Sequence, residues 1–255
     1  WDDKKAVARD PKTLEKYRTL LAEQIQYFKV TQYFFFKQWG ELKDYANQKG
    51  IKIIGDMPIY VAADSVEVWT KPELFQLDKE RNPLFVAGVP ADQFSATGQL
   101  WGNPLYDWEE HKKQGYTWWI HRIEESFKIY DVLRIDHFKG FSDYWQVDGK
   151  AEVAKDGSWQ PGPGYDLFKA VKEQLGDLPI IAEDLGNIDD KARKLLADCN
   201  YPGMKILQFG FEDVSGKSLD SPHYCIPHSI VYTGTHDNDV TNGWYNGLTD
   251  QQQIG

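Results

Sequence analysis

The feature that most constrains the fold of this 255-residue chain is a repeated alternation of helical segments and short apolar strands. In the helical segments apolar residues recur every three or four positions, whereas each strand is a short β-branched run. This alternation predicts parallel β–α–β units, as in a doubly wound sheet or a (β/α) barrel. We predict helices at 13–28, 33–47, 118–130, 166–175 and 188–199, and strands at 51–54, 132–135, 179–182, 205–209 and 229–232.

A barrel is the favoured α/β architecture. No Gly-x-Gly-x-x-Gly motif follows the first predicted strand, which argues against a dinucleotide-binding sheet. We therefore expect a single catalytic domain over residues 1–255, folded as a (β/α)8 barrel of the TIM type.

Two segments interrupt the alternation. Residues 57–116 are rich in aromatic residues, proline and glycine, and a loop of that length in a domain usually has a function. We predict an inserted wall of the active site there, the alternative being a surface loop packed on itself. Residues 148–165 carry paired turn signals that predict a hairpin followed by a loop.

Composition excludes some functions and suggests another. The net charge of -10 argues against nucleic-acid or membrane partners, and two cysteines without a signal peptide favour the cytoplasm. Aromatic residues make up 15% of the chain and include 10 tryptophans. They either fill the core or line a cleft in which indole rings stack on sugars.

Acidic residues stand at the ends of four predicted strands, at Asp56, Asp136, Glu183 and Asp237. A single such residue would be an ordinary helix N-cap. In a parallel barrel, however, the strand ends meet at one face, where repulsion between carboxylates raises at least one pKa. Two carboxyls with different pKa values supply an acid and a base at neutral pH, and glycosidic bond cleavage requires both.

Basic residues accompany these acids. Arg134 lies two positions before Asp136 and so faces the same side of the strand, where its guanidinium can orient the carboxylate. His137 and His236 each flank a strand-end aspartate, and we expect them to donate hydrogen bonds to substrate hydroxyls. We expect neither a metal nor a cofactor, although a metal-dependent hydrolase remains an alternative.

Four sequence blocks surround these residues. They are Asp56-Met-Pro-Ile-Tyr-Val61, Val132-Leu-Arg-Ile-Asp-His-Phe138, Ile180-Ile-Ala-Glu-Asp-Leu-Gly186 and Tyr232-Thr-Gly-Thr-His-Asp-Asn238. Over about residues 50–245 the chain resembles the α-amylase clan, and most closely the 4-α-glucanotransferases of glycoside hydrolase family 77. Tyr60-Val61 stands where hydrolytic amylases usually have Asn-His, which favours the transferases.

The resemblance implies a role for each strand-end acid. Asp136 would be the nucleophile, Glu183 the acid/base and Asp237 the residue that stabilises the transition state. Arg134 and Asp56 would support the nucleophile. The implied mechanism is retaining double displacement on a maltodextrin, with the two reacting carboxyls about 5–5.5 Å apart. The implied substrate-binding residues are Arg134, His236, Asp56, Trp101, Phe94, Asp92, Gln99, His137 and Tyr60.

Part of the long insertion resembles the family's aromatic lid. Phe94 and Trp101 are the expected stacking residues, and Asp92 and Gln99 the expected hydroxyl partners. A lid that excludes water from the glycosyl-enzyme favours transfer over hydrolysis. Lys139 departs from the family pattern, which often has arginine there.

The barrel is expected to be partial in this chain. The resemblance implies further strands before Ile51 and after Tyr232, so we expect a fragment of a longer enzyme, with unpaired strand edges. The competing functions are a retaining α-glucan hydrolase and an inactive glucan-binding module.

Overall fold

The computed structural model describes residues 2–91, 95–186 and 188–254. Its helices are α1 (Lys4–Val7), α2 (Pro11–Leu20), α3 (Ala22–Gln48), α4 (Val66–Thr70), α5 (Trp108–Lys113), α6 (Thr117–Ile129), α7 (Tyr165–Leu175), α8 (Asp190–Cys199), α9 (Leu207–Glu212), α10 (Thr241–Gly247) and α11 (Asp250–Ile254). Its strands are β1 (Ile54–Met57), β2 (Phe85–Val89), β3 (Gln99–Pro104), β4 (Val132–Ile135), β5 (Asp143–Asp148), β6 (Ser158–Pro161), β7 (Ile180–Ala182), β8 (Gly203–Ile206) and β9 (Ser229–Tyr232). Short 3-10 turns lie at Pro72–Leu74, Phe138–Phe141 and Pro222–Tyr224.

The parallel strands follow one another in chain order. β1, β4 and β7 form one parallel sheet, and β8 pairs with β9 in a second. The Ala182 amide donates to the Pro202 carbonyl at 3.0 Å, a hydrogen bond that links the end of β7 to the chain just before β8. This confirms the predicted α/β class with parallel strands joined by helices.

Three predicted boundaries were wrong. The predicted helices at 13–28 and 33–47 are divided differently, with the break at Leu21 and one helix over Ala22–Gln48. β-branched residues at positions 30 and 31 disfavour helix only slightly, so they do not end it. The first strand begins at Ile54 rather than Ile51, because the Ile53 amide donates to the Asp131 carboxylate at 2.8 Å.

The third wrong boundary is that of the strand predicted at 205–209. The strand ends at Ile206, and Leu207 begins helix α9. Short apolar runs do not distinguish a strand from a helix by their periodicity, which explains the error.

The insertion at 57–116 is not a long loop. It contains α4, β2, β3 and α5, and β2 pairs antiparallel with both β3 and β5. β5 and β6 form the hairpin predicted for 148–165, although its first strand begins at Asp143. The result is a four-stranded antiparallel sheet in the order β3-β2-β5-β6.

Aromatic residues fill the core between the insertion and the parallel sheet. Trp119 is fully buried and stacks with Trp108 at a ring distance of 6.0 Å. The Tyr106 hydroxyl donates to the Ile59 carbonyl at 2.7 Å, and Arg122 donates to the same carbonyl at 3.1 Å. These bonds fix the segment that follows β1, so several of the aromatic residues serve packing.

No helix in the described ranges is long and apolar enough to cross a membrane. Cys199 and Cys225 are both free.

Gly55 in β1 provides a test of this packing. A Cβ there would lie 1.9 Å from the Tyr130 ring, whereas a Cβ at Gly40 in α3 would meet nothing within 4 Å. We predict that Gly55→Ala lowers the free energy of unfolding by about 1–3 kcal/mol through overpacking. Gly40→Ala, the control, should raise it by about 0.5–1 kcal/mol. Urea unfolding measures both, and equal effects would contradict the packing described.

Candidate active site

The site forms where the parallel strands end. The register pairs Met57 with Ile135 and Ile135 with Ala182, so the chain leaves β1, β4 and β7 at the same level. Asp136 and Glu183 are the next residues along β4 and β7, and the Asp136 amide donates to the Met57 carbonyl at 3.0 Å. Parallel register therefore brings these two acids to one edge of the sheet.

Arg134 joins two of the predicted site residues. Its Nη1 lies 2.6 Å from Asp56 Oδ1 and 3.0 Å from Asp136 Oδ1. The Arg134 side chain is 9% exposed and both aspartate side chains are 42% exposed. The guanidinium is therefore buried beneath the two carboxylates. It lies on the same side of β4 as Asp136, as the two-residue period of a strand predicts. A buried cation that orients two carboxylates leaves their outer oxygens free to meet a substrate.

Glu183 is held differently. Its Oε2 accepts from the His137 amide at 2.9 Å, and its Oε1 accepts from the Leu185 amide at 2.7 Å. Burial raises the pKa of Glu183 to about 7, the two amide bonds oppose this, and the negative charge of Asp136 adds to the rise. The repulsion predicted from the sequence is present, but burial is the larger cause.

Asp136 experiences opposing influences. Burial raises its pKa, the Arg134 guanidinium lowers it, and the charges of Asp56 and Asp237 raise it again, with a net rise. Within the described ranges no backbone amide donates to the Asp136 carboxylate, and the Arg134 guanidinium contacts it instead. The two carboxyls therefore differ in their surroundings, as an acid and a nucleophile must.

His137 has a strained backbone between these acids. Its φ of 51° is in the left-handed region, which costs a non-glycine residue about 1–3 kcal/mol. This conformation directs its amide to Glu183, and its ring lies edge-on to Trp101 at 4.8 Å. Burial lowers the pKa of His137 to about 4, helped by the nearby charge of Lys139. The ring is therefore neutral at pH 7.

Asp237 and His236 lie on the exposed loop after β9. The two side chains are 67% and 69% exposed, and His236 Nε2 lies 3.4 Å from Asp237 Oδ1. The Asn238 side chain accepts from the Thr235 amide at 2.9 Å and closes the turn that carries them. Thr235 and His236 of this loop line one hollow together with Asp56 and Arg134, so the loop lies beside the strand-end acids. The charge of Asp237 adds to the raised pKa of Asp136.

The predicted lid residues have separate positions. Trp101 and Gln99 lie on β3, where the Trp101 indole donates to Gln99 Oε1 at 3.2 Å. Tyr60 is buried, and its ring packs between Trp101 at 6.2 Å and Tyr106 at 6.0 Å. Tyr60 thus supports Trp101 from below. The predicted residues Asp92 and Phe94 lie outside the described residues.

Sequence reasoning missed two contributors to the site. The amide of Leu185 bonds Glu183, and Trp159 on β6 lines the groove that contains Glu183 and Trp101. Backbone donors have no sequence signal. Trp159 has no local sequence signal either, because only the fold brings its hairpin to Glu183.

A cluster of groups that could hold a metal ion lies away from the strand ends. Among the described residues, the acids and histidines close enough to share a metal ion are His121, Glu124 and Glu125. They lie on the surface of α6 rather than at the strand ends.

Comparison with known proteins agrees with this geometry. The family model for 4-alpha-glucanotransferase, glycoside hydrolase family 77, matches residues 1–254. The chain belongs to this family. The resemblance noted in the four sequence blocks is therefore confirmed.

Relatives within glycoside hydrolase family 77 are close. The 4-alpha-glucanotransferase of Streptococcus pneumoniae is 54% identical over 250 residues, which are 98% of this chain and 49% of that protein. The Clostridium butyricum protein of the same name is 51% identical over 239 residues, 93% of this chain and 49% of that protein. The solved amylomaltase from Streptococcus agalactiae, in complex with acarbose, has a TM-score of 0.97 and 61% identity over 100% of this chain and 51% of its own. This family 77 chain spans about half the length of the relatives that it matches.

The environment of Glu183 predicts an unusual titration. We expect carboxyl NMR to find one glutamate with a pKa near 7, absent in Glu183→Gln. Because the charge of Asp136 contributes to the rise, Asp136→Asn should lower that pKa. Asp166→Asn, an exposed aspartate on α7, is the control and should leave it unchanged. A Glu183 pKa near its ordinary value of about 4.3 would contradict the burial described.

Proposed function

We propose that this chain carries the catalytic centre of a retaining 4-α-glucanotransferase that moves segments of α-1,4-glucan between maltodextrins. The observation that carries the proposal is the pairing of a buried Glu183, whose pKa is about 7, with an Asp136 that contacts Arg134. Membership of family 77 supplies the reaction class, and the close relatives carry the name 4-alpha-glucanotransferase.

In the first step, the Asp136 carboxylate attacks the anomeric carbon of the donor glucan. Glu183, protonated below a pH of about 7, gives its proton to the glycosidic oxygen as that bond breaks. The leaving glucan departs with a new 4-hydroxyl, and the donor sugar stays covalently bound to Asp136. The Arg134 guanidinium contacts one oxygen of Asp136, which orients the carboxylate and lowers its pKa, and so favours the ionised nucleophile against the effect of burial.

In the second step, the 4-hydroxyl of an acceptor glucan or of glucose attacks the glycosyl-enzyme. Glu183 takes the hydroxyl proton, and the bond to Asp136 breaks, with retention of configuration. Asp237 and His236 are proposed to bind the hydroxyls of the sugar at Asp136 and to stabilise its oxocarbenium-like state. Asp56 shares the Arg134 guanidinium and so fixes its orientation.

The architecture is proposed to be part of a (β/α)8 barrel, one catalytic domain over residues 1–255. The parallel strands β1, β4, β7, β8 and β9 are proposed to be consecutive strands of the barrel. Within the described residues, β1 and β9 each pair with a neighbouring strand on one side only. Residues 57–116 are proposed as the active-site wall, with Trp101, Gln99 and residues 92 and 94 as its lid. The cytoplasmic location stays a prediction from sequence.

Transfer is favoured over hydrolysis because of the groove at Glu183. Trp101 borders it and is 37% exposed, and its ring rests against His137 and Tyr60. Apolar rings at this position exclude water from the glycosyl-enzyme while an acceptor sugar covers them. A retaining α-glucan hydrolase would use the same carboxylates with water in place of the acceptor sugar, whereas an inactive glucan-binding module would not need them as a nucleophile and an acid.

Incubation of the complete protein with maltotriose tests the proposal. We expect glucose together with a ladder of longer maltodextrins, without a net increase in reducing ends. Asp136→Asn should abolish the ladder, and Asp166→Asn should leave it intact. Shorter products with new reducing ends would show a hydrolase, and unchanged maltotriose would support a binding module.

A further inference from the structure

Two hollows adjoin the strand-end acids, and they differ in what lines them. The one that we name the acid-side groove includes Trp101, His137, Lys139, Trp159, Glu183 and Gly186 in its walls. The other is lined by residues that include Asp56, Arg134, Thr235 and His236. Glu183 therefore faces one hollow, while Arg134 and the His236 loop face the other.

This division separates the two partners of the proposed reaction. The sugar that becomes covalently bound must meet Asp136 and the loop of His236 and Asp237. The oxygen that leaves must meet Glu183. The acid-side groove is consequently the place for the leaving glucan, and later for the acceptor that replaces it.

Trp159 has a fixed position in this groove. It lies on β6 opposite Trp145, and the two rings meet edge to face at 5.2 Å. Trp145 is itself buried, and its indole donates to the Ala154 carbonyl at 2.7 Å. Trp159 remains 44% exposed. An exposed aromatic ring on a rigid support binds a ligand at little cost in side-chain entropy.

Lys139 holds Trp159 from another direction. Its Nζ lies 4.8 Å from the centre of the Trp159 ring, a cation–π contact, and it also pairs with Asp189. The Lys139 side chain is 11% exposed. Asp189 is the N-cap of α8, so the lysine is tied to a helix terminus and the ring to a hairpin. The pair bridges two elements across the groove.

We propose that Trp159, supported by Lys139, is an acceptor-binding residue that sets the affinity for the incoming sugar. The exposed indole surface suits the apolar C–H face of a pyranose, and the Lys139 ammonium can donate to a hydroxyl beside it. This inference rests on the proposed function and adds a residue to it. The acceptor site then has an indole on each wall, Trp101 and Trp159.

The test compares acceptor kinetics in the complete protein. Maltoheptaose is held at a saturating concentration, and incorporation of labelled glucose is measured against glucose concentration. For Trp159→Leu we expect KM for glucose to rise about 3- to 10-fold, with a smaller change in kcat. Trp159→Phe keeps an aromatic ring, so its KM for glucose should lie between the values of Trp159→Leu and the wild type. Gln160→Ala alters the opposite face of the same strand and is the control for hairpin damage.

The outcomes are distinguishable. A wild-type protein that transfers, together with an unchanged glucose KM in both Trp159 variants, overturns this inference and leaves the proposed function intact. An equal rise in KM for Gln160→Ala also overturns it, because the effect then belongs to the hairpin. A wild-type protein that hydrolyses maltoheptaose without incorporating glucose contradicts the proposed function itself. If Trp159→Leu does not fold, Trp159→Phe still gives the answer, with an expected rise of about 2-fold.

Discussion

The buried guanidinium of Arg134 is the interaction on which the rest of the site depends. A cation that is 9% exposed is stable only with counter-charges close by, and Asp56 and Asp136 provide them at 2.6 and 3.0 Å. Asp56 comes from β1, whereas Arg134 and Asp136 come from β4 and the residue after it. β1 and β4 run parallel, in a register that places Asp56 directly beside Arg134.

Glu183 is held by different groups from those that hold Asp136. Its carboxyl lies just after β7, the next strand, where two backbone amides donate to it and no cation among the described residues forms an ion pair with it. One of those amides belongs to His137, whose left-handed backbone comes directly after Asp136, the first residue beyond β4. The same short segment thus carries the Arg134-paired aspartate and positions the acid beside it. Burial raises the pKa of both carboxyls, to about 7 for Glu183, and the contact with Arg134 opposes that rise at Asp136.

Much of this arrangement could be predicted from the sequence. β4 and β9 have the predicted bounds, and the acids at strand ends converge because parallel strands end at one edge. The role of each acid came from the resemblance, not from spacing. The sheet that joins 57–116 to the hairpin β5-β6 was not predicted, since β2 pairs with β5 about 60 residues away and local patterns do not encode such partners. Trp159 was missed for the same reason, because only the fold brings the hairpin to Glu183.

The division of labour between Asp136 and Glu183 is tested most directly by a donor that needs no acid. Fluoride leaves without protonation, so the first fluoride released per enzyme molecule from α-maltosyl fluoride requires the nucleophile alone, whereas further turnover needs Glu183 as the base of the second step. We predict that Glu183→Gln loses about 10²- to 10⁴-fold in activity on maltotriose but retains the single-turnover burst of fluoride. Asp136→Asn should lose both reactions. Equal losses of the fluoride burst in the two variants, or its retention by Asp136→Asn, would contradict the account.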